Sequence, residues 1–137
     1  MSKELRVEDA LEAVIRSVGP DMPLARVVDL MIQERVGAVT VVGEGSEILG
    51  IITSGDALNQ MLRGSLTKDG GVGGEEGFTA RDVMTRSVLC VSEGQPLIEA
   101  AHMMVNKKVE QLPVVREGAL VGIVTRGRVL RELYGNP

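Results

Sequence analysis

An internal repeat constrains the fold of this chain more than any other feature of its sequence. At a shift of 73 residues, the matched pairs include Pro23 with Pro96, Met31 with Met104, and Val41 with Val114. After a turn that is one residue shorter in the second copy, a shift of 72 residues matches Gly50 with Gly122 and Thr53 with Thr125. A gap confined to a turn is where a true repeat tolerates one. The chain is therefore predicted to contain two copies of one structural unit.

Both copies carry the same order of predicted elements. Apolar residues at helical spacing follow Pro23 and Pro96, and proline suits the first turn of a helix. Two apolar strands separated by a glycine-containing turn come next, and a second helix closes each copy. The predicted elements are a strand at 16–18, a helix from 24, strands at 39–42 and 48–53, and a helix at 56–62, then their counterparts at 87–91, from 97, 112–115, 119–125 and 128–134. The sequence thus predicts an α/β (α+β) protein built from two tandem β-α-β-β-α units.

The repeats predict domains at 7–62 and 79–135, joined by a glycine-rich linker at 63–78. A phosphate-binding loop is the alternative for the linker, but the Lys-Ser/Thr pair of such a loop is missing and no apolar strand leads into it. Residues 7–15 alternate apolar and charged residues at helical spacing, which predicts an extra helix packed on the repeat.

Composition narrows the function classes. The chain has 15 basic and 19 acidic residues, a net charge of −4, which disfavours binding to nucleic acid or an anionic membrane. It lacks an apolar run of about 20 residues, and its start lacks a signal-peptide core. Its one cysteine, Cys90, forms no intrachain disulfide, which favours the cytoplasm.

The groups that catalysis or metal binding would need are scarce. Cys90 lies in an apolar run and is predicted to be a buried, inert thiol. The single histidine, His102, is predicted to be a partly exposed helix residue. No cysteine–histidine metal cluster or nucleophile–histidine set can be assembled from one of each. We therefore predict a protein that is not an enzyme and binds no metal.

Three segments resemble a known family: 50–56, which reads Gly-Ile-Ile-Thr-Ser-Gly-Asp, 82–85, which reads Asp-Val-Met-Thr, and 112–115, which reads Leu-Pro-Val-Val. Together with the strand-helix-strand-strand-helix order and the duplication of the unit, they resemble the cystathionine-β-synthase-type (CBS) domain, whose tandem pairs are called Bateman modules. The resemblance implies two copies packed about a pseudo-two-fold axis, with two clefts between them. It also implies binding of AMP, ADP, ATP or S-adenosylmethionine, dimerisation, and regulation of a partner protein.

The resemblance assigns ligand contacts in the first copy to Asp56 and Thr53. The Asp56 carboxylate would accept hydrogen bonds from both ribose hydroxyls, and such charge-assisted bonds contribute about 1.5–3 kcal/mol. Position alone favours a helix cap for Asp56, a role compatible with ligand binding. Thr53 would bind a phosphate or ribose oxygen, with a hydroxyl bonded to the backbone as the alternative.

Further contacts follow from the same resemblance. Ile51 and Ile52 would help hold the nucleoside, Leu89 would contact adenine, and Gln111 lies just before a strand where relatives often carry a basic residue. Ordinary core packing is the alternative for Leu89. Gly37 takes the equivalent position in the first copy, so the cleft is expected to carry less positive charge than in such relatives. AMP is accordingly the first-choice ligand over ADP or ATP, and S-adenosylmethionine stays possible.

The second copy departs from the pattern at Arg128, which stands where the first copy has Asp56. Arginine has only donors, so no second identical site is predicted next to Thr125, and one site per chain is expected. The family layout places Arg126 and Arg128 near the phosphates of the first site, with a solvated helix edge as the alternative. The leading hypothesis is a stand-alone adenine-nucleotide sensor, and the rival hypothesis is a ligand-free dimerisation or interaction scaffold.

Overall fold

The computed structural model describes residues 4–13, 16–63, 77–86 and 88–135. The predicted order of helices and strands is confirmed in both copies. The elements are a 3-10 helix Val7–Ala10, β1 Ser17–Val18, α1 Leu24–Glu34, β2 Ala38–Val42, β3 Ile48–Thr53, α2 Ser54–Leu62, α3 Ala80–Val83, β4 Val91–Ser92, α4 Leu97–Lys107, β5 Gln111–Arg116, β6 Ala119–Thr125 and α5 Arg126–Gly135. They form two compact units, called unit 1 (Met1–Ile15 with Leu89–Pro137) and unit 2 (Arg16–Val88).

Unit 2 is built on a three-stranded sheet in the order β1-β2-β3. Strand β1 runs parallel to β2, and β2 pairs with β3 antiparallel. Helix α1 follows Pro23 and ends at Arg35, which adopts the left-handed conformation (φ 56°) while Val36 N–H bonds the carbonyl of Met31. The apolar faces of the sheet and helix enclose a core whose largest fully buried side chains include Leu24 and Ile52.

Unit 1 repeats this construction with β4-β5-β6 and α4. Helix α4 begins after Pro96 and ends at Lys108, again in the left-handed conformation (φ 55°), with Val109 N–H bonded to the carbonyl of Met104. The two copies therefore share their helix ends as well as their core pattern. Residues of the unit 1 core include Leu97, Met104, Leu112, Val114 and Val124.

Each unit is completed by a segment that precedes the other unit's repeat. In unit 1, Val7 and Ala10 are fully buried in the core, and Glu12 pairs antiparallel with Ile123 through two hydrogen bonds of 2.9 and 3.0 Å. We call residues 4–13 the unit 1 closing segment.

The unit 2 closing segment, residues 77–86, is equivalent. Ala80 is fully buried and Met84 is 9% exposed, both within the unit 2 core. Thr85 pairs antiparallel with Ile51 through hydrogen bonds of 2.8 and 3.0 Å. The compact units therefore cross the boundaries of the sequence repeats.

The closing segments explain the repeated glycine of β3 and β6. A β-carbon on Gly50 would lie 2.8 Å from the carbonyl oxygen of Thr85, and one on Gly122 would collide with the backbone of Glu12. Because backbone atoms cannot yield as a flexible side chain does, only glycine allows this approach.

Three local predictions are wrong. The extra helix predicted at 7–15 is a single 3-10 turn followed by extended Leu11 (φ −67°, ψ 131°), because Glu12 must be extended to pair with β6; Val14 and Ile15 lie outside the described residues. The strand predicted at 87–91 is confined to Val91–Ser92, and Ser87 lies outside the described residues. Cys90 is exposed, because it precedes the paired part of that strand. The predicted linker lies outside the described residues from 64 to 76.

A two-point ion pair joins the ends of β4 and β5, and it predicts a pH-dependent stability. Arg116 Nε and Nη2 lie 2.5 and 2.8 Å from the Glu93 carboxylate oxygens, and these bonds lower the pKa of Glu93. A lowered pKa means that the stabilisation is complete above pH 4.5, the ordinary pKa, and is lost as the pH falls through the folded-state pKa.

We therefore expect Glu93→Gln to lower Tm near neutral pH and the difference from wild type to shrink below pH 4.5. Differential scanning calorimetry from pH 3 to pH 7 measures this, with Glu44→Gln in an exposed turn of unit 2 as the control. A Tm difference independent of pH would contradict the role of this carboxylate.

Candidate functional site

The junction of β3 and α2 brings together four of the predicted site residues, Ile51, Ile52, Thr53 and Asp56. Thr53 is the N-cap of α2, and its hydroxyl accepts a hydrogen bond from the Asp56 N–H at 3.1 Å. The Asp56 carboxylate accepts in return from the Thr53 N–H, with Oδ2 at 2.9 Å. This reciprocal capping box fixes both side chains at the helix N-terminus, where a carboxylate is electrostatically favoured.

Capping uses only part of the Asp56 carboxylate. Oδ2 carries the bond from Thr53, and within the described residues Oδ1 accepts no hydrogen bond. The side chain is half-buried, so this oxygen is held in a defined direction by the cap. Both predicted roles, helix cap and ligand acceptor, are therefore chemically compatible in this residue.

The two isoleucines differ in what they offer. The Ile52 side chain is fully buried in the unit 2 core, whereas Ile51 is partly exposed on the other face of β3. The N–H and C=O of Ile51 are both bonded to Thr85. Of the pair, only the side chain of Ile51 has surface that a ligand could contact.

The matching junction in unit 1 has the cap without the carboxylate. The Thr125 hydroxyl accepts from the Arg128 N–H at 3.2 Å, as Thr53 does from Asp56. The Arg128 guanidinium points elsewhere: Nε lies 3.3 Å from a Glu132 oxygen, and Nη2 donates to the carbonyl of Asp9 at 3.4 Å. Arg128 therefore ties the unit 1 closing segment to α5, a role that sequence reasoning missed.

Arg126 is engaged in its own unit as well. Its Nε donates to the carbonyl of Val109 at 2.9 Å and its Nη2 to that of Met104 at 3.2 Å, while Nη1 lies 3.6 Å from a Glu110 oxygen. The guanidinium therefore lies at the C-terminal end of α4, where a cation suits the helix dipole. Any phosphate contact by Arg126 must compete with these bonds.

Gln111 and Leu89 complete the set of predicted residues in unit 1. Gln111 opens β5 and is paired with Thr125 across the sheet, so it lies beside Arg126 at the same strand end. Leu89 is 39% exposed and stands two residues before β4. Within unit 1 the structure therefore brings Gln111 beside Arg126, while Leu89 lies on the segment leading to β4.

A second Thr-x-x-Asp capping box lies at α3, outside the predicted site. Oδ2 of Asp82 accepts from the N–H of Thr79 at 2.8 Å and from its hydroxyl at 3.1 Å. These bonds, the backbone bond above all, lower the pKa of Asp82. The Thr-x-x-Asp spacing was the sequence signal for this cap, and it provides a matched comparison for Asp56.

Among the described residues, no three His, Cys, Asp or Glu side chains are grouped so that they could hold a metal ion. None of the helices in that part of the chain has the length and apolar character needed to cross a bilayer.

The chain contains a β-α-β-β-α unit twice, each with a capped strand–helix junction, and this places it in the class of paired α/β modules. A family model of the CBS domain matches residues 4–63 and 80–135. The chain therefore belongs to the CBS-domain family and is a tandem CBS pair, as its sequence motifs predicted.

Similar proteins span several lengths. An uncharacterized protein of Methanopyrus kandleri is 32% identical over 124 residues, which are 88% of this chain and 60% of that protein. The crystal structure of CBSX2 in complex with AMP has a TM-score of 0.77 and 26% identity, and the match covers 94% of this chain and 96% of that one. A CBS domain pair in complex with 5′-methylthioadenosine and S-adenosyl-L-methionine shares the fold with a TM-score of 0.77, 23% identity, and coverage of 97% and 98%. The chain thus spans about three fifths of the length of the Methanopyrus kandleri relative.

Proposed function

We propose that this CBS pair is a regulatory module that binds an adenosine-containing ligand at the β3–α2 junction, with AMP as the first candidate. The observation that carries the proposal is the Asp56 carboxylate, held by its capping box with Oδ1 unbonded among the described residues. A ribose offers two adjacent hydroxyl donors, and a fixed carboxylate oxygen is the acceptor they need. The AMP complex of CBSX2, at 26% identity, supports the choice of ligand.

The remaining contacts are part of the same proposal. Thr53 lies beside Asp56, and the partly exposed Ile51 offers apolar surface for the nucleoside. The family resemblance supports the assignment of Leu89 to adenine and of Gln111, Arg126 and Arg128 to the phosphate side. Because Arg128 replaces the carboxylate of the second junction, we propose one such site per chain.

The hydrogen bonds that already engage the two arginines support a ligand with few phosphates. Arg126 and Arg128 both bond partners in unit 1, and releasing them costs the hydrogen bonds they make. A monophosphate would replace fewer of these hydrogen bonds than a triphosphate, which favours AMP over ATP. An S-adenosyl ligand has no phosphate and would leave these hydrogen bonds in place, so it is the second candidate.

The biological role we propose is regulation without catalysis. The module would bind its ligand with different affinity in two conformations. The resulting shift between these conformations would change the activity of a partner protein. It would act in the cytoplasm as a homodimer and without nucleic acid, membrane or metal. The rival proposal is a ligand-free interaction scaffold, which the exposed apolar helix side chains Ile32 and Leu130 favour.

A ligand panel separates these two proposals. We expect AMP to raise Tm in a thermal-shift assay, because a ligand at 100 times its Kd stabilises the folded state by about 2.7 kcal/mol. ADP, ATP, S-adenosylmethionine and adenosine are measured beside it, with GMP as the control for the base. No response to any adenosine compound would favour the scaffold.

A further inference from the structure

Helix α5 is attached to unit 1 in two ways, by apolar side chains and by a forked arginine. Val129 is 4% exposed within the core of unit 1, and Leu133 packs against that core from the same helix. At the first position of α5, Arg126 donates from Nε and Nη2 to the carbonyls of Val109 and Met104, near the end of α4. The helix is therefore held both at its start and along its inner side.

Helix α2 of unit 2 has different side chains at the matching positions. At a shift of 72 residues, the counterpart of Val129 is Ala57 and the counterpart of Arg126 is Ser54. Among the described residues, the core cluster of unit 2 and the apolar side chains packed against it include none from α2. The helix that carries the candidate site is thus attached to its unit by less apolar surface and without a guanidinium.

An apolar groove between α1 and α2 accompanies this weaker attachment. It has a volume of about 270 Å³, and α2 contributes Ser54, Ala57 and Met61 to its lining. Met61 is 40% exposed, so the inner side of α2 is open to solvent at this point. A gap of this size means that α2 has fewer packing contacts with α1 than a closely packed helix would have.

The acceptors of the arginine are present in unit 2 although the arginine is not. Met31 and Val36 line the groove, and a shift of 73 residues matches them with the two residues that Arg126 binds in unit 1. The Val36 N–H bonds the Met31 carbonyl at 3.1 Å, and their counterparts in unit 1 make the same bond at the same distance. The groove of unit 2 therefore corresponds to the place that the Arg126 guanidinium occupies in unit 1.

We propose that α2 is the movable helix of this module and that α5 is its fixed counterpart. A helix with few buried apolar contacts opens locally at a low free-energy cost. Asp56 lies in the first turn of α2, so a displacement of this helix moves the carboxylate. A ligand held by that carboxylate would in turn fix the helix. The link to the ligand rests on the function proposed above, whereas the difference between the two helices does not.

Exchanging one side chain between the units tests this difference in the ligand-free protein. Amide hydrogen exchange compares matched positions, such as Ala57 with Val129, after correction for intrinsic rates. We expect α2 amides to exchange at least roughly 10-fold faster than α5 amides. Ser54→Arg offers the carbonyls of α1 a guanidinium and should slow α2 exchange by roughly 10-fold. Arg126→Ser should accelerate α5 exchange by a similar factor.

Ser54→Lys is the matched control for the added charge. Lysine lacks the fork that binds two carbonyls at once, so it should slow α2 exchange less than Ser54→Arg does. Circular dichroism checks that each variant keeps its helices. Equal exchange of α2 and α5 in the wild type, or equal α2 exchange in the arginine and lysine variants, would overturn the proposal.

Saturating AMP tests the link to the candidate site. We expect AMP to slow α2 exchange of the wild type by roughly 10-fold and α5 exchange by less. Calorimetry on the same sample separates two ways of failing. If AMP binds and α2 exchange stays the same, the ligand does not act through this helix and the inference is wrong on that point. If AMP does not bind, the proposed function and the link to the ligand fail together, while the ligand-free comparison still decides which helix moves.

Discussion

We expect Asp56→Ala to weaken AMP binding by roughly 10–100-fold, since the loss of charge-assisted hydrogen bonds to the ribose is worth about 1.5–3 kcal/mol. Oδ2 of Asp56 is held by the N–H of Thr53 at 2.9 Å, so the carboxylate is already positioned before the ligand arrives. Preorganisation of this kind adds affinity because little side-chain freedom is lost on binding. Isothermal titration calorimetry at constant ionic strength measures the effect.

The cap and the ligand contact can be distinguished by two further variants. Asp82→Ala removes the carboxylate of the other Thr-x-x-Asp capping box, at α3. It should leave AMP affinity unchanged. Asp56→Asn keeps a capping oxygen but removes the charge, so we expect its stability near wild type and its AMP affinity between those of wild type and Asp56→Ala. Equal affinity of Asp56→Ala and wild type for AMP would disprove the assignment.

The second large effect concerns the unit 1 closing segment. We expect Val7→Asp to destabilise the protein by about 3–5 kcal/mol, because it places an unpaired carboxylate in a closely packed core. Val7 is fully buried there, next to residues of the second sequence repeat. Urea unfolding measures the free energy, and amide hydrogen exchange shows where protection is lost.

The location of the loss is the sharper part of this prediction. Although Val7 stands before the first repeat, the amides of α4 and α5 in unit 1 should lose more protection than those of α1 and α2. Glu8→Ala, at an exposed position of the same 3-10 turn, is the matched control and should change stability by less than about 0.5 kcal/mol. Greater loss of protection in α1 and α2 would contradict the assignment of this segment to unit 1.

The sequence predicted the repeated elements well because they rest on local periodicity. Pro23, Pro96 and the apolar residues after them specify α1 and α4, and alternation with a turn specifies each strand pair. The closing segments were not predicted, because a local pattern does not name a distant partner. Gly50 and Gly122 were the available signal, since a glycine at the same strand position of both repeats indicates close approach of another backbone.

The candidate site was predicted only in part, and its ligand contacts stay predictions. Thr53 and Asp56 were assigned through the family resemblance, and the structure shows how the capping box positions both side chains. The engagement of Arg126 was missed because its acceptors are the backbone carbonyls of Met104 and Val109, which a sequence pattern does not mark as partners. Exposure of Cys90 was missed because an apolar run was taken to be paired throughout, whereas pairing begins at Val91.

The exchange of closing segments has a topological consequence for the covalent chain. A single peptide-bond scission between residues 63 and 77 would give an N-terminal fragment that keeps the closing segment of unit 1 and a C-terminal fragment that keeps that of unit 2. Neither product would contain one whole folding unit. The nicked protein should therefore migrate as one particle in size-exclusion chromatography and separate into two polypeptides only in denaturant.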